Sequence, residues 1–251
     1  MDELQVLEMV RRLKLFGMAD TLIARLDEAK ANKLSYEELL ISLLGDQEQS
    51  QTQLALQRRI KKAKFEEPNT FNNFELLHYS QEANQSIRNL MTGNFIREGN
   101  HVVIMGPVGT GKTHLSQALG MLACENKKKV CFVRTNDLLN KFHQSRAHEE
   151  GFLKLFNRYT KYDVLILDDF GLKSLSAEQS ADLYDLIAAI HVNSILVITT
   201  NRMIEGWSDV FYDPIMANAA LDRVVNKAYR VVLDGESYRK KFIPKVEVMK
   251  D

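Results

Sequence analysis

The sequence predicts an α/β fold: a five-stranded parallel sheet with helices over both faces, preceded by an all-helical N-terminal region. Three observations predict it. Five short apolar runs, HVVIM (101–105), VCFVR (130–134), DVLILD (163–168), SILVITT (194–200) and RVVL (230–233), are separated by segments of helical length. Near-continuous apolar strands spaced by helices imply strands buried on both faces. The chain before residue 65 contains no such run and carries its apolar residues at helical spacing instead. The composition, 45% hydrophobic and 26% charged with 12 Gly and 4 Pro, is too apolar for disorder and too poor in Gly and Pro for a fibrous or linker chain.

In chain order, Leu4, Leu7, Val10 and Leu13 recur at three-residue steps that stay near one helical face over so short a length. Gly17 then breaks the run before Met18, Leu22, Ile23 and Leu26 resume it. Ser35 followed by Glu38 has capping-box spacing and opens a helix holding Leu39, Leu40, Leu43 and Leu44. Residues 47–57 are Gln-rich, either a solvated helix face or a weakly ordered segment. They lead into QRRIKKAKF, where Arg58, Arg59, Lys61, Lys62 and Lys64 cluster with no acid among them. After Pro68, NTFNNFELLHYS reads as a connector whose Phe71 and Phe74 dock on the following domain, and Asn84 to Met91 resume helix.

Thirty-three basic residues balance 33 acidic ones, which excludes a uniformly basic nucleic-acid binder and leaves only local patches for such a role. Cys124 and Cys131 follow neither CxxC spacing nor a secreted-scaffold pattern, so buried reduced thiols are expected. The opening MDELQVLEMVRRLKL lacks the apolar core of a signal peptide, and no stretch approaches the roughly 18 apolar residues of a membrane helix. A cytoplasmic location is expected, with no membrane partner.

Directly after HVVIM comes GPVGTGKT, residues 106–113, which fits G-x-x-x-x-G-K-[ST] and opens a helix near His114. Gly106, Gly109 and Gly111 permit backbone conformations and close approach that a Cβ would block, so that successive N–H groups of Gly106, Pro107, Val108, Gly109, Thr110, Gly111, Lys112, Thr113 and His114, proline excepted, can surround phosphate oxygens. The helix N-terminus adds its positive dipole end. Lys112 supplies a cation for the β and γ phosphates of ATP, and the Thr113 hydroxyl is a ligand for Mg2+.

A second motif, VLILDDF (164–170), is an apolar strand ending in Asp168 and Asp169. Asp168 suits a magnesium partner and Asp169 a residue that polarises the attacking water; the alternative is an aspartate pair capping the next helix. A third, SILVITTN (194–201), places Thr199, Thr200 and Asn201 at the carboxyl edge of the sheet, where open α/β folds bind ligands. Asn201 is a candidate for orienting that water. His143 and His148 lack HExxH spacing, which argues against a metal site, and the isolated Trp207 reads as packing.

Together these motifs resemble the AAA+ ATPases. The pieces LKLFGMADTL, LSYEELL, RRIKKAKF, LILDDFG, ITTNR, LDRVVNKAYRV and GESYRK, with the phosphate loop, look like the IstB-type transposition ATPases of bacterial insertion sequences, relatives of the DnaC helicase loaders. That resemblance implies a helical N-terminal domain over 1–68 for oligomerisation, partner or DNA contact, and an AAA+ ATPase domain over 69–251 with a C-terminal helical lid. It implies that Arg223 in LDRVV is an arginine finger reaching a neighbouring subunit's γ-phosphate, and that Arg239 in GESYRK is the lid's sensor arginine. Guanidinium groups suit both roles; ordinary ion pairs, Arg223 with Asp222 and Arg239 with Glu236, are the alternatives. Many AAA+ proteins carry Asp-Glu on the acid strand, and the shorter Asp169 carboxylate here suggests slow hydrolysis.

The function so implied is ATP-dependent regulation of transposition. The chain would assemble as a homo-oligomer with shared ATP sites, remodel duplex DNA and stimulate a cognate transposase. A helicase loader is the alternative. Two segments are candidates for DNA: Arg58, Arg59, Lys61, Lys62 and Lys64, and, between the second and third strands, Lys141, His143, Arg146, Lys154 and Arg158. Contacts of this type are to phosphates and carry little base preference.

Overall fold

The computed structural model describes residues 3–76, 79–235 and 237, which divide between residues 58 and 59 into two compact units. Ten α-helices and five strands are found among the described residues.

The first unit is helical. It contains α1 (Glu3–Arg12), α2 (Phe16–Asn32) and most of α3 (Tyr36–Ala63). The Ser35 capping box forms as its spacing predicts: the Glu38 N–H donates to Ser35 Oγ at 3.2 Å and the Ser35 N–H to Glu38 Oε2 at 2.7 Å. The Gln-rich stretch is ordinary helix inside α3, and Gln47 turns inward to accept the Met18 N–H at 3.2 Å. Two expectations for this region need correction. Gly17 does not break a helix. It lies in the first turn of α2 because a Cβ there would stand 2.6 Å from Ser50 Cβ and 2.8 Å from Asp46 O, so its role is close helix packing. Nor do Leu4, Leu7, Val10 and Leu13 share a buried face. Each three-residue step advances about 300°, a drift of about 60°, and only Val10 is buried, with Leu4 61% and Leu13 65% exposed.

The second unit is built on the sheet: β1 (His101–Met105), β2 (Val130–Arg134), β3 (Val164–Phe170), β4 (Ile195–Thr200) and β5 (Ala228–Val232). All pairings are parallel, in the order β2-β3-β4-β1-β5. The runs read as strands in the sequence are these five, shifted by at most two residues at an end. Alternate residues serve opposite faces, as strand geometry demands. Val103, Met105, Val133, Leu165, Leu167 and Ile198 join the main core, with residues of α7 (Thr135–Ser145), α9 (Ala177–Ile190) and α10 (Pro214–Val225). On the other face α6 (Lys112–Glu125) comes close enough that a Cβ on Gly120 would stand 2.7 Å from Ile166 Cδ1. Helices α4 (Gln81–Met91), α5 (Asn94–Glu98) and α8 (Gly151–Tyr159) complete the unit.

Trp207 is packing, 2% exposed with its ring 4.4 Å from that of Phe170. Cys124 and Cys131 are buried free thiols, and burial pushes Cys124 up to about 11. The expected C-terminal lid and Arg239 fall in 238–251, outside the described residues. No described helix is long and apolar enough to cross a membrane.

Candidate functional site

The phosphate loop leaves β1 and enters α6 at Lys112, two residues earlier than the sequence suggests, with Gly111 as N-cap. Its glycines are needed for conformation and for room. Gly109 and Gly111 take φ of +84° and +87°, left-handed values that a side chain disfavours. At Gly106, φ +150°, a Cβ would meet Leu233 O at 2.3 Å, because Leu233 bonds to the end of β1 through Met105 O at 2.7 Å. Pro107 O accepts both the Thr110 hydroxyl at 2.9 Å and the Lys112 ammonium at 2.7 Å. Lys112 is buried, while Val108 at the loop tip is 64% exposed. The His114 imidazole turns away to Asn73 Oδ1 at 3.0 Å and Thr70 O at 3.3 Å, and burial lowers its pKa.

Asp168 joins three elements. Its carboxylate accepts the Thr113 hydroxyl from α6 at 3.0 Å and the Thr199 hydroxyl from β4 at 2.6 Å, and its carbonyl accepts the Thr135 hydroxyl from α7 at 3.0 Å. The side chain is almost fully buried. Burial pushes its carboxyl above the usual range, the Thr199 hydroxyl opposes that, and neighbouring Asp169 raises it further. Asp168 therefore belongs to the phosphate-loop system and is not a cap of the following helix, α9, whose N-cap is Ser176.

Asp169 sits at φ +54° where the β3–β4 register slips between Leu167 and Phe170. Such a conformation costs about 1 to 3 kcal/mol. It is held by its N–H donating to Thr199 Oγ1 at 2.9 Å, so one threonine fixes both acids. The Asn201 Oδ1 atom is buried and has no partner among the described residues, an arrangement that costs about 1 to 3 kcal/mol unless a polar group meets it.

The motif reading did not include several residues that build this edge. The Tyr79 hydroxyl donates to Thr110 O at 2.8 Å, and the Phe74 ring stacks on Tyr79 at 5.7 Å and meets His114 edge-on at 5.2 Å. The connector aromatic Phe74 thus docks on the phosphate loop. Arg202 Nε donates to Gly171 O at 2.7 Å and ties the loop after β3 to that after β4. An aromatic-rich connector was the one available signal for Phe74 and Tyr79; Arg202 was marked only as the end of ITTNR, with no role attached, and Thr135 had no signal.

Other candidates are dispersed. Arg223 lies on α10, its guanidinium donating to Ala219 O at 2.7 Å and standing 5.1 Å from the Tyr184 ring centre, while Asp222 bonds to Asn226. Arg59 donates to Cys124 O at 2.9 Å and satisfies a carbonyl in the last turn of α6. Arg146 bonds Glu178 and Asp182, each at 3.0 Å, and covers the Phe152 ring. His143 Nδ1 is 3.1 Å from Glu178, and Lys154 pairs with Glu150 at 3.2 Å. The Arg158 guanidinium is raised by a hydrogen bond to Tyr162. Arg58, Lys61, Lys62, Lys64 and Lys141 are exposed.

A glycine-lined loop entering a helix, a buried acid strand separated from it in the sheet by β4, and a polar end on that β4 define an AAA+ P-loop ATPase. Solved structures agree on the fold: the DnaC helicase loader aligns at TM-score 0.54 and 22% identity over 66% of this chain and 96% of its own. AMPPCP-bound DnaA from Aquifex aeolicus aligns at TM-score 0.55 and 20% identity over 71% and 54%. The family is narrower than the fold. The family model described as IstB-like ATP binding protein matches residues 8–245, and the chain belongs to that family. A relative named as an ATP-binding protein in an insertion sequence of Mycobacterium tuberculosis is 35% identical over 92% of both chains. One named for insertion sequence IS21 of Pseudomonas aeruginosa is 28% identical over 96% of this chain and 90% of its own. The protein is accordingly an ATP-binding AAA+ ATPase associated with insertion sequences.

Proposed function

We propose that this chain is an ATP-dependent, DNA-binding regulator of transposition, which assembles on duplex DNA through ATP sites shared between copies, deforms that DNA and stimulates a separate transposase. The observation that carries the reading is the likeness to insertion-sequence ATP-binding proteins, which extends over the helical N-terminal region as well as the ATPase fold. The helicase-loader alternative has fold likeness alone behind it.

At the site, loop N–H groups and Lys112 bind the phosphates of ATP, and Arg223 acts on the site of a neighbouring copy. The paired Thr113 hydroxyl and Asp168 carboxylate, a hard-oxygen donor set, suit Mg2+. When bound, the ion supplies neutralising charge at the phosphate oxygens. Asp169 takes a hydrogen bond from the attacking water and Asn201 orients it. Arg239 is the sensor from the C-terminal segment. Hydrolysis is slow and times disassembly; fast turnover by the lone protein would contradict that element.

Electron microscopy of the protein with duplex DNA and either ATP or ADP tests the assembly. DNA-bound oligomers are expected with ATP and not with ADP, and Lys112→Ala should abolish them. Assembly indifferent to the nucleotide and to Lys112 would overturn the reading.

A further inference from the structure

The end of α3 and the connector after it lie along α6 and touch it at nearly every turn. Arg59 reaches Cys124 O at 2.9 Å. Phe65 packs where a Cβ on Gly120 would stand 2.7 Å from its ring. The Glu67 N–H donates to Gln117 Oε1 at 3.2 Å, Asn73 meets His114 at 3.0 Å, and Tyr79 bonds Thr110 O at 2.8 Å. The touched positions on α6, 124, 120, 117 and 114, step by three or four and so form one helical face, and Thr110 lies just before it in the phosphate loop. The connector's path toward the phosphate loop is thereby fixed.

One member of this strap points elsewhere. Glu66 makes a two-toothed pair with Arg134, Nε to Oε1 at 2.8 Å and Nη2 to Oε2 at 2.9 Å. Arg134 is the last residue of β2 and stands in register with Asp168 on β3. In-register neighbours on parallel strands direct their side chains to one face of the sheet, so a permanent cation lies beside the acid pair. The electrostatics agree: the guanidinium is stabilised first by Glu66 and then by Asp169 and Asp168, and Asp168 in turn feels Glu66. An arginine that forked onto Asp169 would occupy both carboxylate oxygens and reduce their basicity.

We propose that Glu66 is a positioning residue for hydrolysis: by holding the Arg134 guanidinium it keeps that cation off Asp169, whose carboxylate stays available to the attacking water. The inference rests on the reading of Asp169 as the water-polarising acid. Electrostatic attraction gives it direction, since removing the Glu66 charge leaves Asp169 and Asp168 as the acids that draw Arg134.

The test is steady-state ATP turnover of the full chain with duplex DNA. Glu66→Gln should lower kcat about tenfold with KM for ATP within about twofold. Adding Arg134→Gln to Glu66→Gln should return kcat to within about threefold of the unaltered protein. A purely structural role for the pair predicts instead that the double variant is as slow as Glu66→Gln or slower, and that result overturns the proposal, as does an unchanged kcat in Glu66→Gln. Asp169→Asn separates the two readings. Full turnover in that variant removes the premise and the proposal together, whereas an inactive Asp169→Asn beside an unrescued double variant removes the proposal alone.

Discussion

At the carboxyl edge of the sheet, Asp168 and Thr199 are buried and bonded across three elements, and Lys112 is bonded into its own loop. The helical region 3–58 is held differently. Its buried side chains are few, Val10, Ala19, Leu22, Leu43 and Gln47, and Tyr36, Ile41 and Leu44 stand 86%, 70% and 58% exposed. Its main polar link, Arg25 to Asp46 through two hydrogen bonds at 2.9 Å, is only partly buried. Fixed geometry is concentrated where phosphate chemistry requires it, and the helical region is left with a thin core. Local stability should differ accordingly.

Acid should expose the difference first. His101, at the start of β1, is fully buried and uses Nδ1 to accept the Leu196 N–H at 3.1 Å. Burial, with the charges of His191 and Lys227 nearby, lowers its pKa from 6.5 to about 4. Below pH 6.5 the unfolded chain binds a proton that the folded chain refuses until about pH 4. Stability therefore falls across that window, by up to about 3 kcal/mol, and levels off below it. Denaturant titrations from pH 7 to pH 4 should show this loss in the sheet-containing unit and not in the helical one, and His101→Gln should reduce it. An equal loss in that variant would assign the acid sensitivity to other groups.

A smaller and opposite effect is expected from Gly17→Ala. The new Cβ would stand 2.6 Å from Ser50 Cβ and 2.8 Å from two backbone atoms of α3. Overpacking of this kind costs about 1 to 3 kcal/mol. Helical content should melt earlier while ATP affinity is retained. Lost ATP affinity in Gly17→Ala would mean that the two regions do not fold as separate units.

The same contrast explains what was legible in the sequence. Strands β1 to β4 were readable because they are buried almost throughout, so apolar runs with turn residues between them allow little else, whereas the edge strand β5 buries only Val231 and was read from a shorter run. The phosphate loop was readable because Gly106, Gly109 and Gly111 each meet a conformational or steric demand that narrows residue choice. The helical region gave weaker signals: with few residues buried, leucine spacing did not report burial, and a packing glycine looked like a breaker. The roles of Thr135 and Arg202 were out of reach because their partners are backbone carbonyls distant in sequence, and any carbonyl leaves its donor's identity unmarked; Tyr79, whose partner is also such a carbonyl, was marked only by the aromatic-rich connector that holds it.

The least perturbing test concerns the basic segments, where the structure has divided residues that looked alike. Arg59 is committed to Cys124 O and Arg146 to Glu178 and Asp182, so their charges already serve the fold. Lys61 and Lys62, at the end of α3, are exposed. If they meet DNA, they meet phosphates, and each phosphate neutralised contributes about 0.9 to the slope of log affinity against log salt. Replacing both with alanine should lower that slope by about 1 to 2 and weaken binding evenly across sequences. Thermal stability should barely move, because exposed substitutions of this kind typically stay within about 0.5 kcal/mol. Lys141→Ala, measured in parallel, reports on the α7 segment. If the double alanine variant keeps its salt slope while Lys141→Ala lowers it, DNA is contacted from α7 and the basic end of α3 is a solvated helix surface.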